Sequence, residues 1–171
     1  MMQQLVLIGF MGAGKTTLSQ ALGAATGWPV YDTDDLVVTA AHRSINTIFA
    51  QEGETGFRQR EHAALETALT HTPGIIATGG GIITQAANRA LLAALDIPVV
   101  LLTVTPAEIN RRLAGTTDRP LFKKDWPDLL QDRQPWYETS ANRILPTTGR
   151  QVADLVNELQ HLLVEEGAAN D

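Results

Sequence analysis

Short apolar runs rich in β-branched residues alternate along the chain with segments of helical period, and this alternation predicts an α/β fold with helices on both faces of a parallel sheet. Candidate strands lie at residues 5–8, 29–32, 74–78, 99–104 and, more weakly, 143–145. Between the first two, Leu18, Ala21, Leu22 and Ala25 repeat at i, i+3, i+4 and i+7, and Gly27 stands where a left-handed cap would end the helix. Thr105-Pro106-Ala107-Glu108 combines an N-cap threonine, a first-turn proline and a glutamate three residues after the cap, so a capping box is expected to start a helix running to about Ala114. Helical period returns over residues 54–69, 85–95 and 151–165, and a helix is expected to begin near Leu36. Residues 115–126 have no clear period and read as a mobile loop between two helices.

With 171 residues, 44% of them apolar, the chain can bury one sizeable core, so a single domain spanning residues 1–171 is expected. A formal net charge of −6, without any basic block, argues against a nucleic-acid or anionic-membrane partner. The absence of cysteine removes disulfides, Cys-based zinc sites and thiol catalysis. The opening Met-Met-Gln-Gln lacks the basic region of a secretory signal, and no apolar run is long enough to span a bilayer, so a cytoplasmic protein is expected.

The chemistry begins at "GFMGAGKT", Gly9 to Thr16, which fits G-x-x-x-x-G-K-[ST] with a strand before it and a helix after it. Its glycines let successive N–H groups converge on phosphate oxygens. Lys15 supplies a cation toward the outer phosphates, and the Thr16 hydroxyl is placed to ligate Mg²⁺. A polyphosphate site is the direct reading; a glycine-rich turn that only packs closely gives no reason for the lysine.

"YDTDD", Tyr31 to Asp35, ends the second strand, where open α/β sheets place their ligands. In extended geometry Asp32 and Asp34 would point the same way, one toward a metal-bound water and the other toward an acceptor hydroxyl. They serve equally well as turn and N-cap residues of the next helix. In "GFRQRE", Arg58 and Glu61 fall at i, i+3 on one helical face; an exposed pair of this kind is common and contributes little, while a guanidinium is also the usual receptor for a carboxylate. Gly79, Gly80 and Gly81 in "ATGGG" suggest close approach of backbone to a ligand, or a turn without one. Arginines 111, 112, 119 and 133 bracket the loop at 115–126, and a transferring phosphoryl group needs cations and shelter from water. Trp28, Trp126 and Trp136 read as packing residues, the last with the least clear surroundings.

Taken in order, "GFMGAGKTT", "DTD", "GFRQRE", "ATGGG", "DRPL" and "RQPWYE" resemble the shikimate kinase family from about residue 4 to 165. The resemblance implies a three-layer P-loop NTPase fold of the nucleoside-monophosphate-kinase type, with a five-stranded parallel sheet in the order 2-3-1-4-5. It also implies a lid at residues 115–126, a shikimate-binding helical region at 34–61, and transfer of the ATP γ-phosphoryl group to the 3-hydroxyl of shikimate. Carried over by position, Gly12, Ala13, Gly14, Lys15, Thr16 and Thr17 hold the nucleotide, Arg112 lies against adenine, and Thr16 with Asp32 holds Mg²⁺. Asp34 holds the ring hydroxyls and acts as the base or hydrogen-bond acceptor, with Lys15 and Arg119 acting on the transferring phosphate. Asp34, Arg58, Glu61, Gly79, Gly80, Gly81 and Arg133 surround shikimate, with Arg58 and Arg133 on its carboxylate.

The chain departs from the family where Pro135-Trp136-Tyr137 replaces the usual Pro-Leu-Tyr, which puts an indole beside the carboxylate arginine; Phe122 in the lid is a smaller change. A monomer acting on ATP and shikimate is expected. The alternatives are another small-molecule P-loop kinase, such as one for gluconate, and a nucleotide-binding regulator without turnover.

Overall fold

The computed structural model describes residues 3–114 and 125–168, the last three of them as backbone only. Five strands, β1 (Gln4–Ile8), β2 (Val30–Asp32), β3 (Gly74–Ala77), β4 (Val99–Thr103) and β5 (Arg143–Pro146), pair in parallel in the order β2-β3-β1-β4-β5. The predicted order and the number of strands are both found, with no strand end shifted by more than one residue.

The sheet is buried on both faces, which is why its central strands read as continuous apolar runs and not as alternating ones. Within β1 the alternation is nevertheless present in the packing. Val6 and Ile8 join Ile76, Val99 and Leu101 on one face, whereas Leu5 and Leu7 join Ile75, Val100 and Leu102 on the other. Helices α1 (Lys15–Thr26) and α7 (Val152–Ala168) cover the second face through Leu18, Leu22, Leu155 and Leu159. The first face is covered by α3 (Ile45–Leu69), α4 (Ala86–Ala93), α5 (Pro106–Leu113) and α6 (Trp126–Ser140), which contribute Leu65, Leu92, Ile109 and Tyr137 among others. Gly27 ends α1 in the left-handed region at φ 75°, as its position predicts.

Two local expectations are corrected and one is extended. Helix α2 (Thr33–Ala41) starts at Thr33 and not near Leu36, because the Asp32 carboxylate accepts a hydrogen bond from the Asp34 N–H at 2.8 Å and caps the first turn. The helix expected over residues 54–69 is found directly after a break at Gly53, whose φ of 68° interrupts the helical run; a further helical segment, not expected, precedes it from Ile45, where the Ser44 hydroxyl accepts from the Thr47 N–H. The segment before that break packs Ile48 with Val37, Phe57 and Ala64 in a small separate core. Finally, only half of the capping box at Thr105 forms. The hydroxyl of Thr105 accepts from the Glu108 N–H, but the Glu108 carboxylate is taken by Arg111 and Arg112, and the Thr105 N–H donates to Thr148.

Candidate active site

The loop between β1 and α1 wraps the N-terminus of α1, with Gly12 at φ 79° and Gly14 at φ 96°, in the region that excludes most side chains. Lys15 is 8% exposed, and its Nζ donates to the carbonyls of Gly9 at 2.6 Å and Phe10 at 2.9 Å. Thr16 and Thr17 are exposed on the first turn of α1 and face a cleft of about 750 Å³. Gly12, Gly14 and Lys15 line the same cleft; Ala13, 1% exposed, sits behind it in the core. Arg112 reaches from α5 to donate to the Gly12 carbonyl at 3.0 Å, while Glu108 holds its Nε at 2.7 Å.

Asp32 and Asp34 both line the cleft, although not by strand alternation, because α2 has already begun at Thr33. The two readings of this pair therefore divide between the residues, at least for one oxygen: Asp32 is the N-cap, and Asp34 is free of that duty. Burial raises both carboxyls above the usual range. Asp34 is pushed to about 6, first by burial and then by the charge of Asp32, with Lys15 pulling it down.

Arg58 and Glu61 join at 2.8 Å, but they are 5% and 1% exposed, so the reading of an exposed pair is corrected. Burial pushes Glu61 up to about 7 against the opposing pull of Arg58 and Arg133. Arg58 Nε is buried without a hydrogen-bond partner among the described residues, and the side chain faces the cleft. A buried donor left unpaired costs about 1–3 kcal/mol, which an anionic ligand would relieve.

The glycine triplet serves close approach, and the partners are groups of the site itself. A Cβ on Gly79 would stand 2.9 Å from both Asp34 Oδ1 and Glu61 Oε2; one on Gly80 would press on the Met11 nitrogen at 3.2 Å; one on Gly81 would collide with the Arg58 guanidinium. None of the three has a left-handed φ, so contact and not conformation demands glycine here. Arg133, 6% exposed, also lines the cleft.

Two features escaped the sequence reading. The Tyr137 hydroxyl, buried on α6 one turn after Arg133, donates to the Gly80 carbonyl, and burial pushes its pKa to about 12. Trp136, expected beside the carboxylate arginine, instead turns outward, 39% exposed, under the guanidinium of Arg89 at 4.6 Å from the ring centroid. The Arg–x–x–x–Tyr spacing, which stacks the two residues on one helical face, is the sequence signal for Tyr137. Arg119 and the greater part of the predicted lid lie outside the described residues.

A phosphate loop facing two carboxylates and a buried arginine pair, at the C-terminal edge of a parallel sheet ordered 2-3-1-4-5, defines a P-loop kinase. Comparison with known proteins carries this further. The shikimate kinase family model matches residues 11–164. A shikimate kinase of Limosilactobacillus fermentum is 46% identical over 84% of this chain and 85% of its own, and one of Streptomyces coelicolor is 41% identical over 85% and 86%. The shikimate kinase of Acinetobacter baumannii, solved in complex with shikimate, superposes with a TM-score of 0.86 at 32% identity, covering 96% of this chain and 94% of that one. The chain belongs to the shikimate kinase family and is an ATP-dependent kinase. A gluconokinase of Sinorhizobium meliloti, at a TM-score of 0.62 and 21% identity, shares the fold alone.

Proposed function

We propose that this cleft transfers the γ-phosphoryl group of ATP to the 3-hydroxyl of shikimate, giving shikimate 3-phosphate and ADP, with the residues assigned as follows. The observation that carries the assignment is the junction at Gly79, where Asp34 and Glu61 oxygens meet the glycine backbone in the same cleft as the phosphate loop. Gly12 to Thr17 hold the phosphates through backbone N–H groups, the Lys15 ammonium and the hydroxyls of Thr16 and Thr17. Arg112, fixed by Glu108 and the Gly12 carbonyl, flanks the base. The substrate carboxylate meets Arg58, whose buried Nε lacks a partner among the described residues, and Arg133; Glu61 orients Arg58, and the backbone of Gly79, Gly80 and Gly81 completes the pocket. Arg119, in the lid, supplies a cation to the transferring group.

In the transfer the 3-hydroxyl oxygen forms the new bond to phosphorus, the bond from phosphorus to the ADP oxygen breaks with its electron pair staying on ADP, and the hydroxyl proton passes to Asp34. A carboxyl poised near 6 is well matched to that task at neutral pH. The protein otherwise acts by positioning and electrostatics.

The donor set also fits Mg²⁺. The Thr16 hydroxyl is exposed to the cleft, and Asp32 lines it while burial and the charge of Asp35 hold its carboxyl above the usual range, a state that a divalent cation would offset. Bound there with the nucleotide, Mg²⁺ would neutralise charge on the phosphate oxygens. Among the described residues no helix is long and apolar enough to cross a membrane.

Coupled measurement of ADP formation tests the acceptor. Turnover that depends on shikimate, with gluconate and nucleoside monophosphates inert, is expected. Equal turnover with gluconate or a nucleoside monophosphate would overturn the reading.

A further inference from the structure

Helix α6 has two sides with different duties. Its inner side delivers Arg133 to the cleft and the Tyr137 hydroxyl to the Gly80 carbonyl. Its outer side carries Trp136, which does not line the cleft. The guanidinium lying over that indole belongs to Arg89 of α4, and its other contacts lead back to the site. Arg89 Nη1 donates to the carbonyls of Ile83 at 2.8 Å and Thr84 at 3.2 Å, in the short 3₁₀ turn Ile82–Thr84 that continues the glycine triplet. Within that turn the Gly79 carbonyl accepts from the Ile82 N–H at 3.1 Å, and the Gly81 carbonyl accepts from both the N–H and the hydroxyl of Thr84. Arg89 therefore joins the outer side of α6 to the segment whose glycines must press against Arg58, Asp34 and Glu61.

We infer that Arg89 and Trp136 act as a positioning pair that sets the separation between Arg133 and the Gly79–Gly81 backbone, and thereby the affinity for the acceptor, without touching it. The inference rests on the assignment of this end of the cleft to the shikimate carboxylate. Tyr137 fixes the inner side of the same junction and Arg89 with Trp136 fixes the outer, so loosening the pair would let α6 tilt about Tyr137 and move Arg133. Displacements well under an ångström matter where charged groups must meet a planar carboxylate. Because Trp136 is 39% exposed, its removal leaves the core intact, so the pair can be tested in folded protein.

The test measures steady-state kinetics and thermal melting for Trp136→Ala, Arg89→Ala, the double variant and Trp136→Phe, with Arg58→Ala alongside. Each single alanine variant is expected to raise the shikimate KM roughly two- to fivefold, the range of an exposed cation–π contact, while the ATP KM and the kcat at saturating shikimate stay at the parent values. The double variant should be no worse than either single one, and Trp136→Phe, which keeps a ring face, should restore most of the affinity. Unchanged KM values, parallel rises for both substrates, or additive losses in the double variant would overturn the inference. Arg58→Ala separates the two levels. If it raises the shikimate KM and the Trp136 and Arg89 variants do not, the positioning role alone fails; if it leaves that KM unchanged, the acceptor assignment fails and the inference falls with it.

Discussion

Arg58 and Glu61 stand one helical turn apart on α3, joined at 2.8 Å, with almost none of either side chain in contact with solvent. A pair at this depth is costly to break from one side, because loss of Glu61 leaves the buried Arg58, among the described residues, only a longer ion pair, at 3.4 Å, to the exposed Glu54. Glu61→Ala should therefore lose about 3 kcal/mol of folding stability in urea titrations. Glu61→Gln keeps an acceptor for the guanidinium and should lose much less. A shikimate-type carboxylate should restore part of the loss in Glu61→Ala by supplying the missing anion.

The same glutamate predicts a pH dependence of opposite sign to the ordinary acid-denaturation pattern. Burial raises its folded pKa to about 7 from an ordinary value of about 4.5. Below about 4.5 both folded and unfolded chains carry the proton and Glu61 contributes no slope. Between about 4.5 and 7 the unfolded chain releases it while the folded chain retains it, so stability falls as pH rises, then levels off. Equilibrium unfolding across this range should show that decline in the parent and a flatter profile in Glu61→Gln.

Glu52 supplies the contrasting case. It accepts from Arg43 at 2.6 Å and from Arg60 twice at 2.9 Å, bridging the residues on either side of the break at Gly53. The two guanidiniums hold its carboxyl down at about 2, so its stabilisation is present above about 4.5 and is lost as pH falls from there through about 2. Glu52→Gln should remove that part of the acid limb in a thermal-melt pH series. An unchanged acid limb would assign the pair no part in stability.

At Gly81 an added methyl group would occupy the space of the Arg58 guanidinium. Gly81→Ala should cost about 1–3 kcal/mol of stability through overpacking and raise the shikimate KM by roughly tenfold or more, equivalent to about 1.4 kcal/mol, while the ATP KM changes little. Equal changes in both constants would show that the glycine matters only for folding.

Much of this architecture can be read in the chain before any coordinates. The strand–loop–helix at residues 4–26 is legible because every level agrees there: an apolar run, glycines where φ must be positive, a lysine at the helix start and a glycine at its end. What the sequence leaves open is settled by burial. Arg58 and Glu61 have the same i, i+3 spacing in an exposed pair as in a buried one, and only the packing of α3 against the sheet and the glycine triplet decides between them. Asp32 and Asp34 look alike until the helix start is fixed at Thr33, which makes one the cap. The turn of the helix before Gly53 was missed because its apolar residues pack in a separate small core, with no long periodic stretch to announce them. Trp136 is misplaced by neighbourhood reasoning, since residues adjacent in sequence on a helix point about 100° apart.

In the proposed transfer Asp34 takes the proton of the acceptor hydroxyl while the phosphate loop holds ATP independently of it. The most direct measurement pairs calorimetric ATP binding with shikimate-dependent ADP formation in Asp34→Asn. Unchanged ATP affinity is expected, with a fall in turnover of at least about a hundredfold, the scale of general-base catalysis. Turnover comparable to the parent would contradict that role for Asp34.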